Sequence, residues 1–440
     1  MRILSLIITF CLLFCSAQLS AQKGPLKKAQ QLFKEKKYAT AIPLYQKALA
    51  EKQNVAIASK LAYCYKMNNK TVEAEKLYAE IVQKERAKDI TFFYYAEALM
   101  GNGKYEEAIE WFKEYLILNP EDEASKKYIK ACEDSKTIPS YFDNITIEPF
   151  SQNTEVDDNA PVFWKNHIIF TSDRKGRAKF LDEKSGWTGR DYLRLYASKK
   201  KEDGSYDTPF PFVPKMNVAR KNTGMATFKA DGTEMYYSRN GNHQNKNDSY
   251  CLQLYKVKSS DGKKWKGAAP LKFCAKEYNY MHPAISPDGK ELFFVSDRPK
   301  GKGGTDIYVV KKGKKGWGKA KNLGSVINTS GHEGFPFMHP NGQLYFCSKS
   351  HPGFGGFDIF VTERDTVGNW TTPVNLGLPI NSPADDISIY LDAAKQNGVF
   401  TSSREGGDDD IFLIHFPPLS VPLDSMSTPV IEQMGMNNKD

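Results

Sequence analysis

A chain of 440 residues, 40% hydrophobic and 26% charged, is long enough for two or three ordinary folded cores. Its formal net charge of +9 is spread along the chain rather than massed in one run, and together with an exported start it argues against nucleic acid as a partner. Seven cysteines, none in CxxC or Cys/His ligand spacing, exclude a disulfide scaffold and a structural zinc site.

Arg2 precedes an apolar run from Ile3 to Cys15, followed by small and polar residues up to Ala21 and Gln22. That run is too short to span a bilayer comfortably and sits behind a basic residue, so residues 1–21 read as a secretory signal cleaved after Ala17 or Ala21. Bulky Phe14 before Cys15 argues against lipidation, and the expected location is the periplasm, in association with the outer membrane. No other stretch reads as membrane-spanning. Cleavage leaves Cys64, Cys132, Cys251, Cys274 and Cys347. Cys251 and Cys274 fall on neighbouring predicted strands, which leaves both a bridge and two buried thiols open.

Residues 22–135 carry a helical period and an internal repeat. Tyr38-Ala-Thr-Ala41, Thr71-Val-Glu-Ala74 and Tyr105-Glu-Glu-Ala108 recur at spacings of 33 and 34, and Ala29, Ala62 and Ala96 precede them at matching positions. Small residues at fixed places let paired helices approach, and Leu32, Tyr65 and Leu99 fill the next turn. This resembles the tetratricopeptide repeat, with three units and a capping helix from Glu121 to Glu133. Pro43 is expected in the first turn of its helix, where proline is tolerated. Solenoids of that family hold partner peptides in a concave groove, so the resemblance makes Phe92, Phe93, Tyr94 and Tyr95 the candidate partner-binding residues.

A short linker, Ser135 to Ser140, leads to a second repeat over residues 141–416. Its clearest copy, Met281 to Val310, reads as three strands with Pro287-Asp288-Gly289-Lys290 as a tight turn. From the first-strand positions Pro161, Ala226, Pro283, Pro336 and Ile387, five copies are spaced by 65, 57, 53 and 51. A lone three-stranded meander cannot bury its apolar face, so five copies imply five mutually packed blades. A fourth strand ends in the phrases Asn328-Thr329 and Asn381-Ser382, whereas the fifth copy lacks one. The matching phrase Asn153-Thr154 stands ahead of the first copy, so residues 144–150 are expected to supply the missing strand beside Asp410 to His415 and close the ring. The SPDGK, SDR and GGxDIY phrases resemble the WD-like propeller repeat of bacterial envelope proteins, of TolB and of some peptidases. Asp191, Asp306, Asp358 and Asp410 read as loop braces. The proline-, serine- and methionine-rich stretch 417–440 reads as disordered or as a partner-binding tail.

No GxSxG elbow, HExxH helix, phosphate-binding glycine loop or triad is present, so neither catalysis nor a cofactor is expected. His282 and His332 approach the channel mouth without a third ligand. The pairs Asp157-Asp158 and Asp385-Asp386 sit at equivalent places in the repeat, which favours architecture over calcium. The fold expected is thus multidomain, α plus all-β: a tetratricopeptide α-solenoid followed by a five-bladed β-propeller. That order resembles a Bacteroidota envelope family, the PorE-like components of type IX secretion and their OmpA-family relatives. Members carry a later peptidoglycan-binding domain, which is not seen here. The resemblance implies a non-catalytic periplasmic adaptor that meets envelope proteins through the solenoid groove and the propeller face. The alternative is a propeller that binds or processes a glycan or peptide in its channel.

Overall fold

The computed structural model describes residues 24–85, 87–175, 184–185, 187–244, 250–405 and 408–417. The signal segment at 1–21 and all but the start of the tail at 417–440 lie outside the described residues.

The helical part comprises α1 (24–34), α2 (Tyr38–Glu51), α3 (Val55–Lys66), α4 (Thr71–Val82), α5 (Asp89–Gly101), α6 (Tyr105–Leu118) and α7 (Glu123–Asp134). Neighbours in sequence pack as neighbours in space, as repeated helical hairpins must. Ala29, Ala62, Ala96, Ala41, Ala74 and Ala108 are all essentially inaccessible, while Tyr45, Tyr78 and Phe112 fill the space beside them. Asn54 caps α3 through the amides of Ala56 and Ile57, and Asp122 caps α7 through Ser125. Within each hairpin the turn is made by a left-handed residue, namely Lys36, Asn69 and Gly103. Pro43 lies in the second turn of α2, not the first, because that helix already starts at Tyr38.

The β part is a ring of five sheets. Blade 1 is Asp158–Trp164, His167–Ser172, Arg194–Lys199 and Phe210–Pro211. Blade 2 is Thr223–Phe228, Glu234–Gln244, Tyr250–Lys258 and Lys266–Pro270. Blade 3 is Tyr280–Ile285, Glu291–Ser296, Asp306–Gly313 and Lys321–Asn322, with a small hairpin strand at Gly316–Trp317. Blade 4 is Glu333–Met338, Leu344–Ser348, Asp358–Thr362 and Val374–Asn375. Blade 5 is Asp386–Leu391, Asn397–Ser402 and Asp410–His415, and its outer strand is Thr146–Pro149 from the other end of the domain. The register sets Thr146 opposite His415 and Pro149 opposite Phe412, so the first strand closes the last sheet.

Each innermost strand carries a bulge. Its left-handed residue is Ala160, Met225, His282, Phe335 or Ser388. The bulge frees a backbone amide, and in four blades that amide donates to the preceding blade. Ala160 reaches Thr401 Oγ1 at 3.1 Å, Met225 reaches Thr171 Oγ1 at 2.9 Å, His282 reaches Ser238 Oγ at 3.1 Å, and Phe335 reaches His282 Nδ1 at 3.3 Å. The ring is therefore stitched by hydrogen bonds at its axis as well as packed by apolar side chains between sheets.

Candidate functional site: the junction of solenoid and propeller

Repeated polar residues of the propeller first have to be assigned to architecture or to chemistry. Asn217, Asn328, Asn381 and Asn153 each grip one residue of a third strand at both its N–H and its C=O, namely Leu195, Ile307, Ile359 and Ile411. In blade 2 the corresponding position is Cys274, whose thiol sits at the Leu254 amide and is pushed up to about 12 by burial. Cys251 and Cys274 are not bridged. The residue after each Asn in three of these phrases caps an acid four positions on. Thr154 donates to Asp158, Thr329 to Glu333 and Ser382 to Asp386, each through both amide and hydroxyl. Arg174 and Arg404 then pair with Asp158 and Asp386 at 2.5 and 2.6 Å.

Asp306 and Asp358 accept loop amides, from Lys302 and Gly303 and from Phe354 and Gly355 respectively. Asp191 does not share their place. Arg194 stands opposite Ser172 as Asp306 stands opposite Ser296, and Asp191 pairs with Lys184 at 2.9 Å. His282 stacks on Phe335 with ring centroids 3.8 Å apart, and burial pulls its pKa down to about 3, so it is neutral. His332 belongs to a separate contact with Thr305. Among the described residues, no group of three or more His, Cys, Asp or Glu side chains is arranged to hold a metal ion.

The solenoid rests on one face of the ring, the face that carries the loops between second and third strands and the connections between blades. Gly103, in the α5/α6 turn, faces Pro383 so closely that a Cβ would lie 3.3 Å from the proline ring. Tyr105 is raised above the usual tyrosine range by burial and by the nearby Asp358 and Asp386 carboxylates. At the other end of the solenoid a loop from blade 1 reaches up. Trp187 packs edge-on against Tyr38 at 5.0 Å, donates from Nε1 to the Met67 carbonyl at 3.3 Å, and accepts at its own carbonyl from Ala39 N at 3.1 Å.

The base of that loop is held by Arg190, whose guanidinium pairs with Asp157, Asp173 and Asp408. Three carboxylates around one cation are more than it neutralises. Burial, with Asp157 adding to it, pushes Asp173 up to about 7, and burial with Asp158 nearby pushes Asp410 up to about 6.

Between the two parts, the linker does not hang free. Tyr141 N donates to Leu376 O at 2.9 Å, its hydroxyl meets Gln343 at 3.2 Å, and Phe142 packs on Phe416 at 5.0 Å. Gly377 adopts a φ of 66° against the Pro139 carbonyl, where a side chain would collide.

The four candidate groove residues are distributed over different contacts. Phe92 stacks on Trp111 at 5.6 Å and Tyr95 meets the same ring at 5.1 Å, which turns both toward α6. Phe93 packs among Phe112, Tyr115 and Tyr128, toward α6 and α7. Tyr94 touches Tyr63 and Tyr78 and lies under the Lys66 ammonium, which places it toward α3. Phe92, Phe93 and Tyr94 keep partial exposure, whereas Tyr95 is buried. The sequence reading did not single out the junction itself. A signal was available in Trp187, a tryptophan in the long loop between the second and third strands of blade 1.

Two clefts flank the contact. One, of about 130 Å³, is lined from the solenoid by Lys66, Glu97 and Tyr128 and from the propeller by Lys349, Gly356 and Asp385. The other, of about 180 Å³, has Lys127 and Lys130 on one side and Ser330, Ser350 and His351 on the other. Met100, Tyr128, Lys349 and Gly355 border both.

Profiles of the tetratricopeptide repeat match residues 32–90 and 90–122. No curated protein matches the chain. Among solved structures, the second tetratricopeptide domain of human RPAP3, in complex with an HSP70 peptide, is 24% identical, with 26% of this chain and 97% of that chain covered and a TM-score of 0.24. TolB from Acinetobacter baumannii is 15% identical over 60% of this chain and 55% of its own, with a TM-score of 0.31. An α-L-arabinofuranosidase from Lactobacillus brevis is 12% identical over 59% and 90%, with a TM-score of 0.39. The chain thus carries tetratricopeptide repeats followed by a five-bladed propeller with TolB among its structural neighbours.

Proposed function

We propose that this protein is a non-catalytic scaffold that is exported to the periplasm and docks partner proteins in an outer-membrane-associated assembly, the type IX secretion or gliding apparatus being the leading candidate. The observation that carries this reading is the use made of the propeller's polar side chains. The repeated Asn, Ser/Thr, Asp/Glu and Arg residues hold strands, loops and one another, and the solenoid is seated on the face that carries the inter-blade connections. Two rigid surfaces in fixed relation suit the assembly of partners better than turnover of a substrate.

The test is affinity capture from detergent-solubilised envelopes with the intact protein and with a variant lacking the solenoid. Outer-membrane or secretion proteins recovered only by the intact protein support the scaffold. Recovery of no protein partner by either one overturns it.

A second reading, a glycan-processing propeller, has one observation in its favour: Asp173 and Asp410 have pKa values raised toward neutrality, as a general acid requires. Asp173 is bonded to Arg190 at 2.8 Å, which favours a structural role. Hydrolysis of a chromogenic glycoside that is lost in Asp173→Asn would reverse that preference.

A further inference from the structure

The two clefts at the junction share a border and differ in charge from the rest of the contact. In the first, each acid already has a cation: Lys66 pairs with Glu97 and Lys349 with Asp385, both at 3.1 Å. In the second, Lys127 has no ion-pair partner among the described residues, and Lys130 pairs outward with Asp134 along its own helix at 2.9 Å. The remaining acid there, Asp358, is taken up by the Phe354 and Gly355 amides, and burial raises its pKa well above the usual range. His351 adds no charge, since burial lowers its pKa, and its Nε2–H is already taken by the Ile327 carbonyl at 2.9 Å. With Lys66, Lys127, Lys130 and Lys349 against Glu97 and Asp385, the combined cleft is cationic, and Ser330, Ser350, Met100 and Tyr128 also line it.

We propose that these joined clefts form a composite docking site for an acidic, extended segment of a partner protein, with one carboxylate beside Lys127, a second competing with Asp385 for Lys349, and its backbone along the glycine-containing loop at 353–356. The proposal rests on the scaffold reading and adds the chemistry of the partner. A peptide fits better than a uniformly charged polymer because the cations alternate with apolar floor and with pre-formed ion pairs, which a chain of mixed side chains can match. The site is composite: α7 supplies Lys127, blade 4 supplies Lys349, and neither part contains it alone.

The experiment is fluorescence anisotropy of the full protein with a short, end-capped, labelled peptide alternating Glu and Ser, set against the same peptide with Gln for Glu. The expected result is binding about tenfold tighter for the Glu peptide at low salt, weakening as salt rises. Lys127→Ala removes an exposed side chain that makes no ion pair among the described residues, so it leaves the fold intact and should weaken the Glu peptide about threefold, toward the Gln value. Lys127→Glu combined with Lys349→Glu should abolish the preference. Lys314→Glu with Lys315→Glu, on the blade 3 hairpin, should leave it unchanged.

Equal affinity for the two peptides overturns the proposal, as does an equal loss in the hairpin variant, which would mean undirected charge attraction. Tighter binding of polygalacturonate or of phosphatidylglycerol vesicles than of the Glu peptide overturns the choice of occupant. Any of these results leaves the scaffold reading to stand or fall on the capture experiment, which does not depend on peptide charge.

Discussion

The solenoid and the propeller reach order by opposite means. In the solenoid the recurring element is a methyl group: alanine at six repeated places, with aromatic rings packed between. In the propeller it is a buried polar brace, an asparagine gripping a strand and a hydroxyl capping an acid. Helices satisfy their own backbones, so stacking them needs only complementary shape. Blades that meet at loops leave backbone groups without ladder partners, and side chains must supply them. Polar residues recurring in a propeller repeat are therefore weak indicators of chemistry until their partners are known.

The sharpest way to break the comparison is to remove a brace. Asp386→Ala leaves Arg404 facing buried carbonyls without its anion, and a loss of about 3–5 kcal/mol is expected in denaturant unfolding. Asn381→Leu strips both bonds from Ile359 and is expected to cost about 2–3 kcal/mol by the same measurement. Its mirror sharpens the point: Cys274→Asn offers blade 2 the grip that the other blades possess, so it should be neutral or stabilising. The corresponding insult to the solenoid is overpacking, and Ala108→Leu should cost about 1–3 kcal/mol through steric strain alone.

Trp187→Ala acts on the contact between the two parts. The ring is 40% exposed, so the expected cost is only about 1 kcal/mol, seen as earlier proteolysis of the linker and a solenoid that unfolds ahead of the ring.

A further expected effect is a dependence on pH. Asp173 titrates near 7 when folded and near its ordinary value when unfolded. The folded protein therefore binds the extra proton between about pH 4 and 7, and this group destabilises as pH rises through that window. Asp173→Asn removes the proton uptake, so its stability relative to the native protein should improve from about pH 4 to about pH 7 and level off above that in paired melts. A flat difference would place Arg190 in full control of the cluster.

Spacing made both repeats legible, because alanines 33 and 34 apart and turns such as Asp288-Gly289 have local physical causes. The closing strand was legible through Asn153-Thr154, a phrase without a partner at its own end of the ring. The seat of the solenoid was not. It depends on Gly103 meeting Pro383 and Trp187 meeting Tyr38, pairs about 280 and 150 residues apart whose approach no local period encodes. Asp191 braces its own loop through Lys184 but stands outside the register of Asp306 and Asp358, because only strand pairing puts Arg194 opposite Ser172. The candidate residues Phe92 to Tyr95 show the limit of periodicity within one helix, since adjacent rings turn to α6, α7 and α3 in succession.

Closure of the ring by its first strand has a consequence for the order of events at synthesis. Asn153 waits for Ile411, 258 positions later, before its bonds can form. The solenoid can therefore finish folding from local contacts while four blades assemble beside an open seam. A chain whose last strand has not yet docked would present two bare strand edges to its neighbours, which makes that strand the checkpoint on completing the ring and gives unfinished copies a specific route to aggregation.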